Sequence, residues 1–206
     1  MRGVAPVTLL LETERLRVRR FEPRDVEDIV AFTRDASVSR ETCNIPSARP
    51  DELPAYIEEQ RRLTLFAAKR CVDLAIARKE DDRVIGLLSL VSNGALQGEI
   101  GWALGVEHRG RGYATEAARA LMDYVFDTLG YHRVFAGTVY TNVRSWKLME
   151  RLGMRKEAHF RKAHVPANPG GEWIDTVRYA VLAEDWPTER SRNRPRPGSP
   201  TTPPAA

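Results

Sequence analysis

Arg109-Gly110-Arg111-Gly112 sets two arginines and two glycines directly ahead of a helix-forming run that opens Tyr113-Ala114-Thr115-Glu116-Ala117. Those residue types at that spacing suit the wrapping of a phosphate. Glycine lets the backbone turn sharply and come close to a ligand. The first turn of a helix aims its unsatisfied N–H groups and positive dipole end at an anion. A Walker loop would need Gly-Lys-Ser/Thr after its glycines, which Arg111-Gly112-Tyr113 does not supply. The dinucleotide fingerprint needs three glycines near the first strand of a βαβ unit, whereas this loop has two and lies mid-chain. A plain surface turn would need no helix dipole behind it. The residues therefore point to a pyrophosphate-type ligand.

The elements around the loop must hold it. Gly98 to Val106 reads as a strand whose faces differ: Ile100, Trp102, Leu104 and Val106 are bulky, and Glu99, Gly101, Ala103 and Gly105 are small except for one carboxylate. Such a bare face either leaves room for a ligand along the backbone or packs densely against a helix. After the loop, Ala114, Ala117, Ala118, Leu121, Val125 and Leu129 form one helical stripe that Gly130 ends. Upstream, Thr13 to Arg20 alternates as a strand, Pro23 opens a helix, and a second helix fits Asp51 to Leu65. Val72, Leu74 and Ile76 mark another strand, and the apolar run Val84 to Val91 suits a central one. Downstream, His132 to Tyr140 reads as a strand, Asn142 caps a helix ending at Leu152-Gly153, and strands fit Met154 to Ala163 and Trp173 to Leu182. The order is β-α-α-β-β-β-α-β-α-β-β, an α/β domain with a mixed sheet.

At 206 residues the chain is long enough for one domain with a real core. No apolar run approaches membrane-spanning length, and Met1 to Pro6 lacks the apolar core of a signal peptide. Two cysteines, Cys43 and Cys71, have no metal-ligand spacing and are too few for a disulfide framework, so the expected compartment is the reducing cytoplasm, with no metal. From Pro187 onward four arginines against Glu189 carry +3 of the total +4, leaving +1 for the rest of the chain. A basic tail on a nearly neutral domain is not a nucleic-acid groove. Residues 191–206 hold five prolines and no periodicity, which predicts disorder. The chain thus divides into an N-terminal extension (1–12), one domain (13–186) and a Pro/Arg-rich tail (187–206).

Arg109-Gly110-Arg111-Gly112-Tyr113-Ala114 resembles the Arg/Gln-x-x-Gly-x-Gly/Ala signature of the GCN5-related N-acetyltransferases (GNAT). Gly98-Glu99-Ile100-Gly101-Trp102, Thr141-Asn142-Val143-Arg144-Ser145, Leu152-Gly153-Met154 and Trp173-Ile174-Asp175-Thr176-Val177-Arg178-Tyr179 are similar to the subgroup that acetylates ribosomal-protein N-terminal alanine and serine. The likeness runs from about Thr13 to Trp186. It implies the GNAT acyl-CoA N-acyltransferase fold and direct transfer of the acetyl group of acetyl-CoA to a primary amine. That amine is a protein N-terminus, ribosomal or otherwise, or a small molecule such as an antibiotic or polyamine. A homodimer stays open.

The resemblance also assigns roles. The backbone of Gly110, Arg111, Gly112, Tyr113, Ala114 and Thr115, with Arg109, would cradle the pyrophosphate. The strand segment Trp102, Ala103 and Leu104 would pair with the pantetheine arm and polarise the thioester oxygen. Asn142 would contact the pantetheine or cap the helix beneath it. An ammonium must lose a proton before it attacks, and Glu99, about 10 Å short of the thioester, would take it through a water; an ordinary salt bridge is the rival role. The family's thiolate-protonating tyrosine is replaced by Met149, and a base glutamate of some relatives by Gly137. Ser145 would meet the sulfur, or merely bond within the helix start. Lower in rank stand His159, His164, Glu172 and Asp175, placed near the acceptor, the last also as a hairpin cap. Met149 and Gly137 motivate a second reading, a CoA-binding sensor without catalysis. A third, a ribosome- or RNA-binding module, would rest on the arginine tail.

Overall fold

The computed structural model describes residues 9–39, 45, 49–64, 70–164 and 172–187. Cys43, residues 165–171 of the loop before the last strand, and the tail from 188 lie outside them. One eight-stranded sheet organises the rest: β1 (Leu10–Glu12), β2 (Leu16–Arg19), β3 (Cys71–Arg78), β4 (Val84–Gly94), β5 (Gln97–Leu104), β6 (Arg133–Val139), β7 (Arg155–His164) and β8 (Ile174–Leu182), in the spatial order β1-β2-β3-β4-β5-β6-β8-β7. Every neighbouring pair is antiparallel except β5 and β6. The apolar run expected at the centre is β4, with three strands on one side and four on the other. The sheet starts at Leu10 rather than at Thr13, because β1 pairs with β2 and Leu9 is buried in the core.

Helices cover both faces. α4 (Tyr113–Asp127) and α5 (Val143–Arg151) lie on the face built by Leu74, Ile76, Leu88, Leu90, Ile100 and Leu104, where Ala117, Ala118, Leu121, Leu148 and Met149 are buried. α1 (Val26–Thr33) and α3 (Leu53–Arg62) cover part of the other face, and Ile29, Phe32, Leu53 and Ile57 pack there on Ala75, Ala77, Leu87 and Ala103. Between them runs the single turn α2 (Ala36–Ser39). Pro23 opens a short 3-10 turn that leads into α1, since its ring fixes φ and it has no N–H to satisfy. Gly130, at φ 67°, ends the α4 segment in the left-handed region.

The outer edges differ in kind. β1 is three residues long. β7 is long but exposed along nearly all its length, is rich in arginine, lysine and histidine, and breaks register against β8 in two places.

One buried ion pair fixes where β2 hands over to α1. Arg19 donates to both carboxylate oxygens of Asp25, at 2.7 and 2.9 Å, and Asp25 also accepts from the Glu22 backbone N–H. Both side chains are nearly removed from water. Loss of one partner would strand the other charge in the interior. Asp25→Ala is expected to lower unfolding free energy by about 3–5 kcal/mol, read by urea denaturation; a change within half a kcal/mol would show that water replaces the carboxylate.

Candidate active site

The parallel pairing of β5 with β6 covers only Gln97, Gly98 and Glu99 against Arg133, Val134 and Phe135. Beyond that the strands part, although β5 continues to Leu104 and β6 to Val139. A fork therefore opens in the middle of the sheet. Gly105 N–H donates to Ile85 O at 2.9 Å, so by antiparallel alternation Ala103 and Gly101 also turn their peptide groups to β4. The peptide groups of Trp102 and Leu104 face the fork instead. This corrects the expectation for Ala103: its amide belongs to the ladder, not to the opening. Of the two alternatives for the bare strand face, dense packing is what Ala103 and Gly105 show. Ala103 packs beneath α1 and α3, and a Cβ on Gly105 would lie 3.2 Å from that of Phe32, so small residues there serve helix packing. Room for a ligand comes from lost strand pairing at the edge and, on this face, beside half-buried Gly101.

The glycine–arginine loop closes the end of β5. Gly110 (φ 77°) and Gly112 (φ 83°) both take the left-handed conformation that a Cβ disfavours. None of the backbone N–H groups from Gly110 to Thr115 has a hydrogen-bond acceptor among the described residues. Unpaired N–H groups at the N-terminus of a 15-residue helix make a concave donor set for a phosphate. Arg111 is exposed, and its carbonyl accepts from Arg15. Arg109 departs from expectation: its guanidinium turns inward to Leu104 O at 3.1 Å and Ser37 Oγ at 3.4 Å. A half-buried guanidinium there braces the end of β5, so the loop presents backbone rather than this side chain.

Arg15 and Glu116 were not singled out from sequence, yet they hold the loop. Glu116, in the first turn of α4, accepts from Thr13 Oγ1 (2.6 Å), Arg15 N–H (2.9 Å) and Arg15 Nε (2.7 Å), and the Arg15 guanidinium lies 4.6 Å over the Tyr113 ring. Burial alone would push the Glu116 carboxyl up. The hydrogen bonds from Thr13 and Arg15 outweigh it and hold that carboxyl below its usual value.

Glu99 stands at the crotch of the fork, in the last β5–β6 pair, half-buried and without an ion-pair or hydrogen-bond partner among the described residues. Across the opening, Asn142 Oδ1 accepts the Ser145 N–H at 3.2 Å and so caps α5. Ser145 is half-buried, and Met149 is a core residue with no proton to give. Gly137 is exposed on β6. His159 and Asp175 bond each other at 2.7 Å, and Asp175 also takes the Lys162 N–H, so the pair closes the β7–β8 hairpin. Their strand positions share the face of buried Val177, opposite that of Glu99, which takes them away from it. Cys71 is half-buried beside Asp73. No group of three or more potential metal ligands occurs among the described residues.

A mixed sheet forked at its parallel pair, with free helix N-terminal donors at the mouth of the fork, defines an acyl-transferase architecture. The chain belongs to the GNAT acetyltransferases: the sequence profile described as an acetyltransferase (GNAT) domain matches residues 15–155. It is 32% identical over 181 residues to the uncharacterized N-acetyltransferase YnaD of Bacillus subtilis (strain 168), covering 85% of this chain and 98% of that one. It is 33% identical over 87 residues to the [ribosomal protein uS5]-alanine N-acetyltransferase of Escherichia coli (strain K12), covering 42% of this chain and 43% of that enzyme. Among solved structures, a GNAT-family acetyltransferase from Bacillus anthracis superposes with a TM-score of 0.72 at 27% identity, over 85% of this chain and 99% of that one. The protein is therefore an acetyltransferase. Acetyl-CoA is the family's cosubstrate and an amine its acceptor. The free N–H groups of the loop and the unpaired edge of β5 suit the pyrophosphate and the amide-bearing arm of that cosubstrate.

The Glu116 tether carries a pH dependence. Because its folded-state pKa is depressed, it contributes stability above the ordinary carboxylate range and loses it as pH falls through the folded value. Glu116→Gln should lower the Tm at pH 7 by about 2–4 °C, with the difference from wild type vanishing in acid. A pH-independent difference in scanning calorimetry would contradict that linkage.

Proposed function

We propose that the protein moves the acetyl group of acetyl-CoA directly to a primary amine through a tetrahedral intermediate, with a working unit spanning about residues 13–186 in the cytoplasm. The observation that carries this reading is the run of free N–H groups from Gly110 to Thr115 at the mouth of the β5–β6 fork. These groups, with the positive end of α4, would hold the pyrophosphate. The Trp102 peptide groups and the Leu104 N–H would pair with the pantetheine arm, and the Trp102 N–H would stabilise negative charge developing on the thioester oxygen. Acetyl-CoA supplies an activated acyl group and a good leaving thiolate, which makes a strong side-chain acid dispensable at the position of Met149. Ser145, at the start of α5, would meet the departing sulfur.

Glu99 is the base in this scheme. Its carboxylate is unpaired among the described residues, half-buried and beside the opening, and it would take the amine proton through a water. The acceptor is a protein N-terminal α-amine or a small-molecule amine. The partial match to an enzyme named for ribosomal protein uS5 favours including N-terminal peptides among the first substrates tried.

Gly112→Glu adds a side chain at a left-handed position of the loop, beside Arg15, and should abolish acetyl-CoA binding in calorimetry while circular dichroism stays unchanged; undiminished affinity would remove the loop from the site. Glu99→Gln should cut kcat about 100-fold and flatten the alkaline rise of the rate with little effect on acetyl-CoA affinity. Wild-type rates across pH would strike Glu99 from the mechanism.

A further inference from the structure

On the Glu99 face, three residues stand in one row across three strands. Asp73 of β3 is in register with Ser89 of β4, and Ser89 with Gly101 of β5, next to the fork. Asp73 is almost fully buried. Its carboxylate accepts from Tyr56 Oη at 2.7 Å, Ser89 Oγ at 2.5 Å and the Cys71 thiol at 3.4 Å, and its backbone N–H donates to Gln60 Oε1 at 2.8 Å. Every side chain that meets the carboxylate is neutral, and no arginine, lysine or histidine pairs with it among the described residues. Burial, and then the charge of Asp73, push the Tyr56 phenol far above its ordinary value, so it remains a donor. A buried carboxylate without a cation is costly wherever the fold has no use for its charge.

The direction of the hydrogen bonds decides what the row can recognise. A carboxylate only accepts, so Ser89 spends its one hydrogen on Asp73, and its oxygen keeps only lone pairs for anything else. Ser89 itself is half-buried, not sealed. Its neighbour toward the fork is Gly101, also half-buried; a Cβ there would lie 3.6 Å from the Ser89 Cβ and 3.9 Å from its Oγ. Among the described residues only Ser89 comes within 4 Å of that point, so the glycine leaves space beside the hydroxyl. Glu99 is the diagonal neighbour of Ser89 on the same face, roughly 7 Å away. Glu99 and an acceptor-only hydroxyl thus border one end of the opening, with the buried Asp73 behind the hydroxyl.

We propose that Ser89, oriented and polarised by the buried Asp73, is the acceptor-amine subsite: its Oγ takes an N–H from a cationic primary amine and directs the nitrogen toward the fork. Asp73 is the positioning residue, acting through Ser89, and Tyr56 holds Asp73. The row selects an acceptor that arrives as an ammonium and disfavours neutral or anionic nucleophiles. This rests on the acetyl-transfer reading above and adds to it the group that binds the acceptor.

The test uses the full chain, acetyl-CoA, and a panel of peptides with free alanine or serine N-termini together with spermidine. With whichever amine wild type acetylates, Ser89→Ala should raise the amine KM about 10-fold or more and leave the acetyl-CoA KM within twofold. Ser89→Thr, which restores the hydroxyl, should return the amine KM to within about threefold of wild type. Asp73→Asn, a near-isosteric change, should raise the amine KM as Ser89→Ala does, and the double variant should be no worse than either single one. An unchanged amine KM in Ser89→Ala, or an equal rise for both substrates, overturns the subsite and leaves acetyl transfer standing. A wild-type protein that releases no CoA thiol with any amine overturns the acetyl-transfer reading, and the subsite with it.

Discussion

The need of every backbone amide for a partner governs this protein, and the sheet breaks that need at one place. β5 and β6 are held together by three residue pairs and then separate, with strands of the sheet intact on either side. Peptide groups at a parted seam must be satisfied by water or by a ligand that carries its own amides. Helices flank the seam on both faces of the sheet. α1 and α3 bear on β5 through Ala103, while α5 starts directly after β6 and is capped by Asn142. The same economy of donors recurs at the glycine–arginine loop, where left-handed Gly110 and Gly112 turn a series of N–H groups away from any acceptor among the described residues.

Charges then divide the work between the two faces. Toward α4, Arg15 and Glu116 lock the helix start to the approach of β2, and Arg109 ties the loop back to the end of β5. These contacts hold the backbone donors in a fixed arrangement, so no donor set needs assembling when an anion arrives. On the opposite face, the carboxyl groups of Glu99 and Asp73 lack cationic partners among the described residues. The free helix-terminal donors and the cation-free carboxyl groups thus lie on different faces of one seam.

Much of this was legible in the residues. The helical stripe of α4, the continuous apolar run of β4 and the Asn142 cap read correctly because each is a local signal with its own period or side chain. The loop stood out because glycines and arginines before a helix have few other uses. What stayed hidden depended on strand register. Whether Ala103 or Trp102 turns its amide to the seam follows from alternation against β4, which composition does not reveal. Arg109 looked like a phosphate ligand because its type is right, but the nearby carbonyl of Leu104 claims it. Asp73 carried a weak signal, an acid inside the otherwise apolar Val72 to Ala77, and all its partners but Cys71 lie 13 to 17 residues away in α3 and β4.

The outermost strand carries a consequence of a different kind. β7 offers its unpaired backbone to solvent over ten residues, long enough to template another strand. Yet Arg155, Lys156, Arg161 and Lys162 put like charge along it, its register slips twice, and Lys162 sits at φ 48°. A second chain laid edge to edge would have to stack cation on cation and follow a bent rail. With β1 only three residues long at the far side, neither edge of the described sheet offers a long, flat, uncharged template to another strand.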